Sequence, residues 1–154
     1  MAGNKLNILY VDDEVNNLTA FKACFRRTYK IFLAETPKRA QDILDNNNIQ
    51  IIISDQRMPE MTGIEFFTSI IKKHPDPIRM LLTGYSDIQA VIDAINKGKV
   101  FRYFSKPWDE DELKENIDQA GKIFMLREER KELTGKLLDE NQKMEFMLRQ
   151  KLLS

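Results

Sequence analysis

The chain has 154 residues, which suits one domain with an appendage, and 42% of them are hydrophobic, enough for a real core. Lys and Arg number 24 and Asp and Glu 24, so no net field argues for nucleic acid or an anionic membrane as partner. The single cysteine, Cys24, excludes an internal disulfide framework. No apolar run reaches the ~20 residues of a membrane helix, residues 1–5 begin no signal peptide, and a cytoplasmic protein is expected.

Residues 6–11 form a short apolar run that ends abruptly in Asp12, Asp13 and Glu14, and they read as a buried strand. Residues 15–28 have helical spacing through Val15, Leu18, Phe21, Cys24 and Phe25. Cys24 is expected there as a small buried hydrophobe rather than a reactive thiol. Residues 29–34 are a second strand. Thr36 then caps a helix with Pro37 at its first position, Ala40, Ile43 and Leu44 on its apolar face, and residues 46–48, all Asn, closing it. Residues 49–54 are the strongest strand. Ile51, Ile52 and Ile53 are apolar in succession, so both faces are expected to be buried, as in the middle of a parallel sheet. Asp55 follows at its end.

A loop from Gln56 to Gly63 carries Pro59, and a helix over 64–73 follows it. Residues 78–83 are another buried strand. Ser86 or Asp87 caps a helix through Ala90, Val91, Ala94 and Ile95 that Gly98 ends, and residues 100–105 are the last strand. The alternation of five strands with helices implies a parallel sheet wrapped on both faces, with ligands at the carboxyl ends of the strands. From Asp109 the pattern is helical. Leu113 and Ile117 face the sheet. Beyond residue 120 the charge rises, while Leu133, Leu137, Met144 and Leu148 keep one stripe that Gly135, Glu140 and Asn141 interrupt.

Polar residues collect at the strand ends. Asp12 and Asp13 end the first strand and Asp55 ends the third. Three carboxylates at one sheet edge repel unless a cation neutralises them, and a hard divalent ion such as Mg²⁺ suits oxygen ligands. Adjacent acids after a strand also serve as a helix N-cap, but that does not explain Asp55. Thr83-Gly84 ends the fourth strand and Ser105-Lys106-Pro107 the fifth, adding a hydroxyl and a cation. An Asp nucleophile, a divalent ion, a hydroxyl and an ammonium are equipped for phosphoryl transfer to a carboxylate.

Val11-Asp12-Asp13-Glu14, Ser54-Asp55-Gln56-Arg57-Met58-Pro59 with Gly63, Thr83-Gly84 and Ser105-Lys106-Pro107 together resemble the receiver domain of two-component response regulators, of the chemotaxis-receiver kind. The resemblance covers about residues 5–122. It implies an α/β fold with a doubly wound, flavodoxin-like parallel sheet in strand order 2-1-3-4-5. It implies Asp55 as phosphoacceptor, with a sensor histidine kinase or phosphotransfer protein as donor. Asp13 and Asp55 would ligate Mg²⁺, with Asp12 on a metal water and the Arg57 backbone carbonyl completing the set. Thr83 and Lys106 would bind phosphoryl oxygens. Tyr103 would be the switch aromatic, turning inward as Thr83 moves. The Lys106–Pro107 bond is expected to be cis, aiming the lysine at the site. Arg57 and Tyr85 flank the expected phosphoryl position and are expected to tune its lifetime.

The expected boundaries are a receiver domain over 1–122 and a coiled-coil-like helical extension over 123–154. The extension reads as a dimerising or signal-transmitting helix, against the alternative of a solvated helix that carries nothing. Ser154 is a poor natural ending for a coiled coil, which leaves open an output domain beyond it. Expected roles elsewhere are modest. His74 is a surface residue at a helix end, Trp108 a packing anchor for the last helix, and Phe66, Phe67, Met58, Met61 and Met80 core or loop packing, with Met58-Pro59 also suited to kinase docking. Two other functions compete. A dehalogenase-like phosphatase would want Asp-x-Asp after the first strand and a cap domain, whereas Asp12 and Asp13 are adjacent. A structural coiled-coil adaptor leaves the acidic cluster unexplained.

Overall fold

The computed structural model describes residues 5–84 and 88–153. In chain order the elements are β1 (Asn7–Val11), α1 (Val15–Phe25), β2 (Lys30–Ala34), α2 (Pro37–Asn46), β3 (Ile51–Asp55), α3 (Gly63–Ile70), β4 (Ile78–Thr83), α4 (Ile88–Asn96), β5 (Arg102–Ser105) and α5 (Glu110–Leu153). The strands form one sheet in the order β2-β1-β3-β4-β5, every pairing parallel. This is the doubly wound, flavodoxin-like topology expected of the sequence. All carboxyl ends of the strands therefore lie along one edge.

Strand residues alternate between two apolar layers. One gathers Leu9, Val11, Ile52 and Leu81 against α2, α3 and α4 through Ile43, Phe66, Phe67 and Val91. Tyr10 points the other way and stacks on Phe21 of α1 at 4.3 Å between ring centroids. Ile51, Ile52 and Ile53 are all fully buried, so β3 is covered on both faces. Thr36 caps α2, its hydroxyl accepting from the Arg39 N–H at 3.1 Å. The helix cap expected at Ser86 or Asp87 lies outside the described residues.

Several boundaries differ from the sequence reading. α1 stops at Phe25, because the N–H groups of Thr28 and Tyr29 both donate to the Phe25 carbonyl and close a turn into β2. Cys24 is exposed, a correction to the buried role expected of it. Leu18, Phe21 and Phe25 define the buried stripe, and at 3.6 residues per turn Cys24 falls about a quarter turn from its centre. α3 begins at Gly63 with Thr62 as N-cap: Thr62 Oγ1 accepts from the Glu65 N–H, and Glu65 accepts from the Thr62 N–H. That capping box is written in the sequence as Thr-x-x-Glu.

Gly63 brings the start of α3 against the end of β3. A Cβ there would lie 2.6 Å from both the Asp55 carbonyl oxygen and Leu81 Cδ1. The carbonyl belongs to a paired strand and cannot give way. Gly63→Ala is expected to destabilise the fold by roughly 1–3 kcal/mol, read as a lower urea midpoint at unchanged slope.

The chain divides into two compact units, one ending at Gly121 and one beginning at Lys122. Among the described residues of the second, Leu133, Leu137, Met144 and Leu148 are exposed. No helix among the described residues is long and apolar enough to cross a membrane.

Candidate functional site

The carboxyl edge of the sheet gathers Asp12, Asp13 and Asp55. Their carboxylate oxygens come within 4.8 Å of one another. β1 and β3 are hydrogen-bonded neighbours, with Val11 opposite Ser54, so the residues next in line on each strand are adjacent by construction. Asp12 and Asp55 are buried and Asp13 is exposed.

The three carboxylates are prepared differently. Asp12 is held on all sides. Its Oδ2 accepts from the Tyr10 hydroxyl at 2.8 Å and Asn17 Nδ2 at 3.0 Å, and its Oδ1 accepts from the Glu14 N–H at 3.0 Å. Charge-assisted bonds of this kind fix a carboxylate in orientation. Asp55 is paired with the Lys106 ammonium, which reaches back from the end of β5. Burial raises the Asp55 carboxyl above its ordinary value. Lys106 opposes that rise, and the charges of Asp12 and Asp13 add to it. Burial, and then the Asp12 carboxylate, hold the Tyr10 hydroxyl in its protonated, donating form.

Three clustered acids with one ammonium leave negative charge in excess. A hard divalent cation offers relief, and the oxygen-only donor set fits Mg²⁺.

The remaining residues singled out in the sequence lie around the cluster. Thr83 is buried at the end of β4 opposite Ser105, and its hydroxyl donates to the Gly84 carbonyl at 3.0 Å. The Lys106 N–H donates to the Thr83 carbonyl at 3.0 Å, which ties the two strand ends together. The Lys106–Pro107 peptide is cis, as expected. Arg57 is exposed in the loop after β3. Tyr103, opposite Leu81 in the sheet, is half-buried against the core. Tyr85 lies outside the described residues. His74 precedes β4 at the far edge of the sheet, its Nε2 within 2.8 Å of Asp45 Oδ1. Trp108 packs on the rings of Phe21 and Phe25 in α1, at 6.2 and 5.7 Å. A cavity of about 370 Å³ beside the cluster is lined by Tyr10, Asn17, Lys106, Pro107 and Trp108.

Three supporting residues escaped the sequence reading. Tyr10 lies two residues before Asp12, on the same face of the strand, a spacing that could have signalled it. Asn17 lies five residues beyond Asp12, in the first turn of α1. Gln56 is buried; its carbonyl accepts from the Gly63 N–H at 2.9 Å and its side-chain oxygen from the Ile64 N–H at 3.1 Å. It thereby clamps the loop that follows Asp55, and no local pattern announces that.

Comparison with known proteins gives one consistent picture. A sequence model of the response regulator receiver domain matches residues 8–118. The hydrogenase transcriptional regulatory protein HoxA of Bradyrhizobium diazoefficiens is 32% identical over 122 residues, which cover 79% of this chain and 25% of that protein. The chain thus spans about a quarter of that relative's length. Among solved structures, the signal receiver domain of an HD domain-containing protein from Pseudomonas fluorescens Pf-5 is 30% identical, with a TM-score of 0.77, covering 84% of this chain and 96% of that one. The response regulator protein TrrA from Thermotoga maritima, solved in complex with Mg(2+)-BeF, is 31% identical with a TM-score of 0.66, covering 75% of this chain and 98% of that one.

Proposed function

Because the chain belongs to the response regulator receiver domain family and serves phosphoacceptor signalling, we propose that Asp55 is its phosphoacceptor and that a sensor histidine kinase or phosphotransfer protein is the donor. The observation that carries this reading is the inequality of the three acids. Asp12 already accepts three hydrogen bonds from the protein, Asp13 faces solvent, and Asp55 alone is both buried and paired with a lysine. Asp55 attacks the donor's phosphorus through one carboxylate oxygen, and the donor imidazole leaves with the electron pair of the broken P–N bond. Lys106 turns from the carboxylate to the phosphoryl oxygens, and Thr83 gives up its bond to the Gly84 carbonyl to donate to another. Tyr103 follows Thr83 inward. That motion biases two pre-existing states of the α4, β5 and α5 surface by a few kcal/mol, which partners then read.

Asp13, Asp55 and the Arg57 carbonyl would hold Mg²⁺, with Asp12 orienting a metal water; the ion would neutralise phosphoryl oxygens during transfer. With excess EDTA, phosphoryl uptake from acetyl phosphate is expected to fall to background and to return with added Mg²⁺. Uptake indifferent to EDTA would remove the metal from this account. Arg57, exposed two residues beyond the nucleophile, meters water approach and so the lifetime of the product.

We favour a switch over a hydrolase, since a dehalogenase-like phosphatase would want Asp-x-Asp after the first strand, whereas Asp12 and Asp13 are adjacent. The second unit supports a homodimer. Leu126, Leu137 and Leu148 recur every eleven residues, as do Leu133 and Met144, and all five are exposed. Eleven residues are close to three whole helical turns, so the side chains form one straight stripe that a second copy can cover. Light scattering is expected to give a dimer mass for the full chain. A monomer with and without phosphoryl would count against it.

A further inference from the structure

The opposite edge of the sheet carries a second cavity, of about 690 Å³, and its lining is cationic. Lys5 precedes β1, Lys30 opens β2, and Lys22 and Arg26 come from the end of α1, which runs back against the strands to this edge. The strands are about 17 Å long, so the cavity is distinct from the carboxylate cluster. No carboxylate among the described residues lines it. Among the described residues none of the four cations is in an ion pair, although the chain as a whole is electrically balanced. The negative end of α1 accounts for Lys22 and Arg26. It does not account for Lys5, which belongs to another segment; Lys30 borders the cavity with its ammonium 5.4 Å from the centre of the Phe32 ring.

The polar lining is biased towards donors. The Gln50 side-chain oxygen is taken by the Asn7 N–H at 2.6 Å, which leaves its amide nitrogen to donate. The Tyr29 hydroxyl is committed to Asp118 at 2.6 Å, and Asp118 is itself paired with Lys114. The volume falls in the roughly 300–1,000 Å³ range of small-molecule sites. Among the described residues Ile31 is the single aliphatic one in the lining, so charge and hydrogen bonding rather than apolar contact dominate what the cavity offers a ligand. Tyr29's ring is tilted against Phe25, 5.9 Å away, and offers no free platform for stacking bases of a nucleic acid. Ammonium and guanidinium groups converging on a concavity match phosphate oxygens.

We propose that this cavity binds a small polyanion carrying two or more phosphate groups. Inorganic polyphosphate and nucleoside polyphosphates share that chemistry, and titration calorimetry of the full chain, without divalent metal, separates them. Tripolyphosphate and ATP are expected to bind at one site, and AMP at least tenfold more weakly. Equal affinity for the first two assigns recognition to the phosphates alone; tighter ATP binding adds the nucleoside. The double variant Lys22→Ala/Arg26→Ala is expected to lose at least tenfold in affinity. Lys38→Ala/Arg39→Ala, which removes two exposed cations of α2, and Asp55→Asn are expected to leave it unchanged. The proposal is overturned if tripolyphosphate does not saturate, if the α2 variant or Asp55→Asn loses as much as the cavity variant, or if an oligoglutamate peptide binds as tightly.

Discussion

Replacing Asp55 by asparagine is expected to reduce phosphoryl uptake from acetyl phosphate to background while leaving the fold intact. The amide is nearly isosteric but cannot form an acyl phosphate. Neither neighbouring acid can substitute for it. Both oxygens of Asp12 are occupied by Tyr10, Asn17 and the Glu14 N–H, and Asp13 is exposed without the lysine that pairs with Asp55. Stability separates lost chemistry from lost structure. Burial raises the Asp55 carboxyl, with Lys106 pulling it down and Asp12 and Asp13 pushing it further up. A carboxyl raised on folding favours the folded state while protonated, and that advantage fades as pH climbs from the unfolded value through the folded one. At neutral pH the ionised Asp55 is therefore a cost, and Asp55→Asn is expected to melt at the same temperature as the parent or higher. A variant that loses uptake and also melts early would carry no information about the nucleophile.

Lys106→Ala is expected to slow phosphoryl uptake by about 10²–10³-fold, the scale of removing one preorganised charge from a transfer site. Two effects act together. The phosphoryl oxygens lose a cation, and Asp55 loses the group that draws its carboxyl down against burial and two acidic neighbours, so less of it is ionised. Time courses of intact mass at fixed acetyl phosphate and Mg²⁺ measure the rate. A rate within a few-fold of the parent would mean that Lys106 only balances charge in the resting protein.

Much of the fold was legible because its signals are local. Ile51–Ile53 announced a strand covered on both faces, and Thr36-Pro37 announced a capped helix. The abrupt change from Val11 to Asp12 marked a strand end. The candidate site was legible for a related reason. In a parallel sheet all strand ends share an edge, so Asp12, Asp13, Asp55, Thr83 and Lys106 were neighbours once the alternation was read. What escaped depends on contacts between segments. Gln56 looked like any loop residue, yet its side chain anchors the first turn of α3. Cys24 was assigned to the core by association with Phe21 and Phe25, whereas its angular position on α1 puts it on the exposed flank. Trp108 is a packing residue just before α5, as expected, but its partners Phe21 and Phe25 lie on α1, far away in sequence, and no local pattern names them. The cationic cavity also escaped, since Lys5, Lys22, Arg26 and Lys30 become a group only when β1, α1 and β2 are assembled.

The central claim concerns one carboxylate among three within 4.8 Å of one another, so the decisive measurement must locate the phosphoryl group by residue. Borohydride reduces an aspartyl phosphate to homoserine, which marks the acceptor permanently. After incubation with acetyl phosphate and Mg²⁺, reduction and peptide sequencing by mass spectrometry, this account predicts homoserine at position 55 and unmodified aspartate at 12 and 13. Homoserine at position 12 or 13, or none at any of the three, would contradict it.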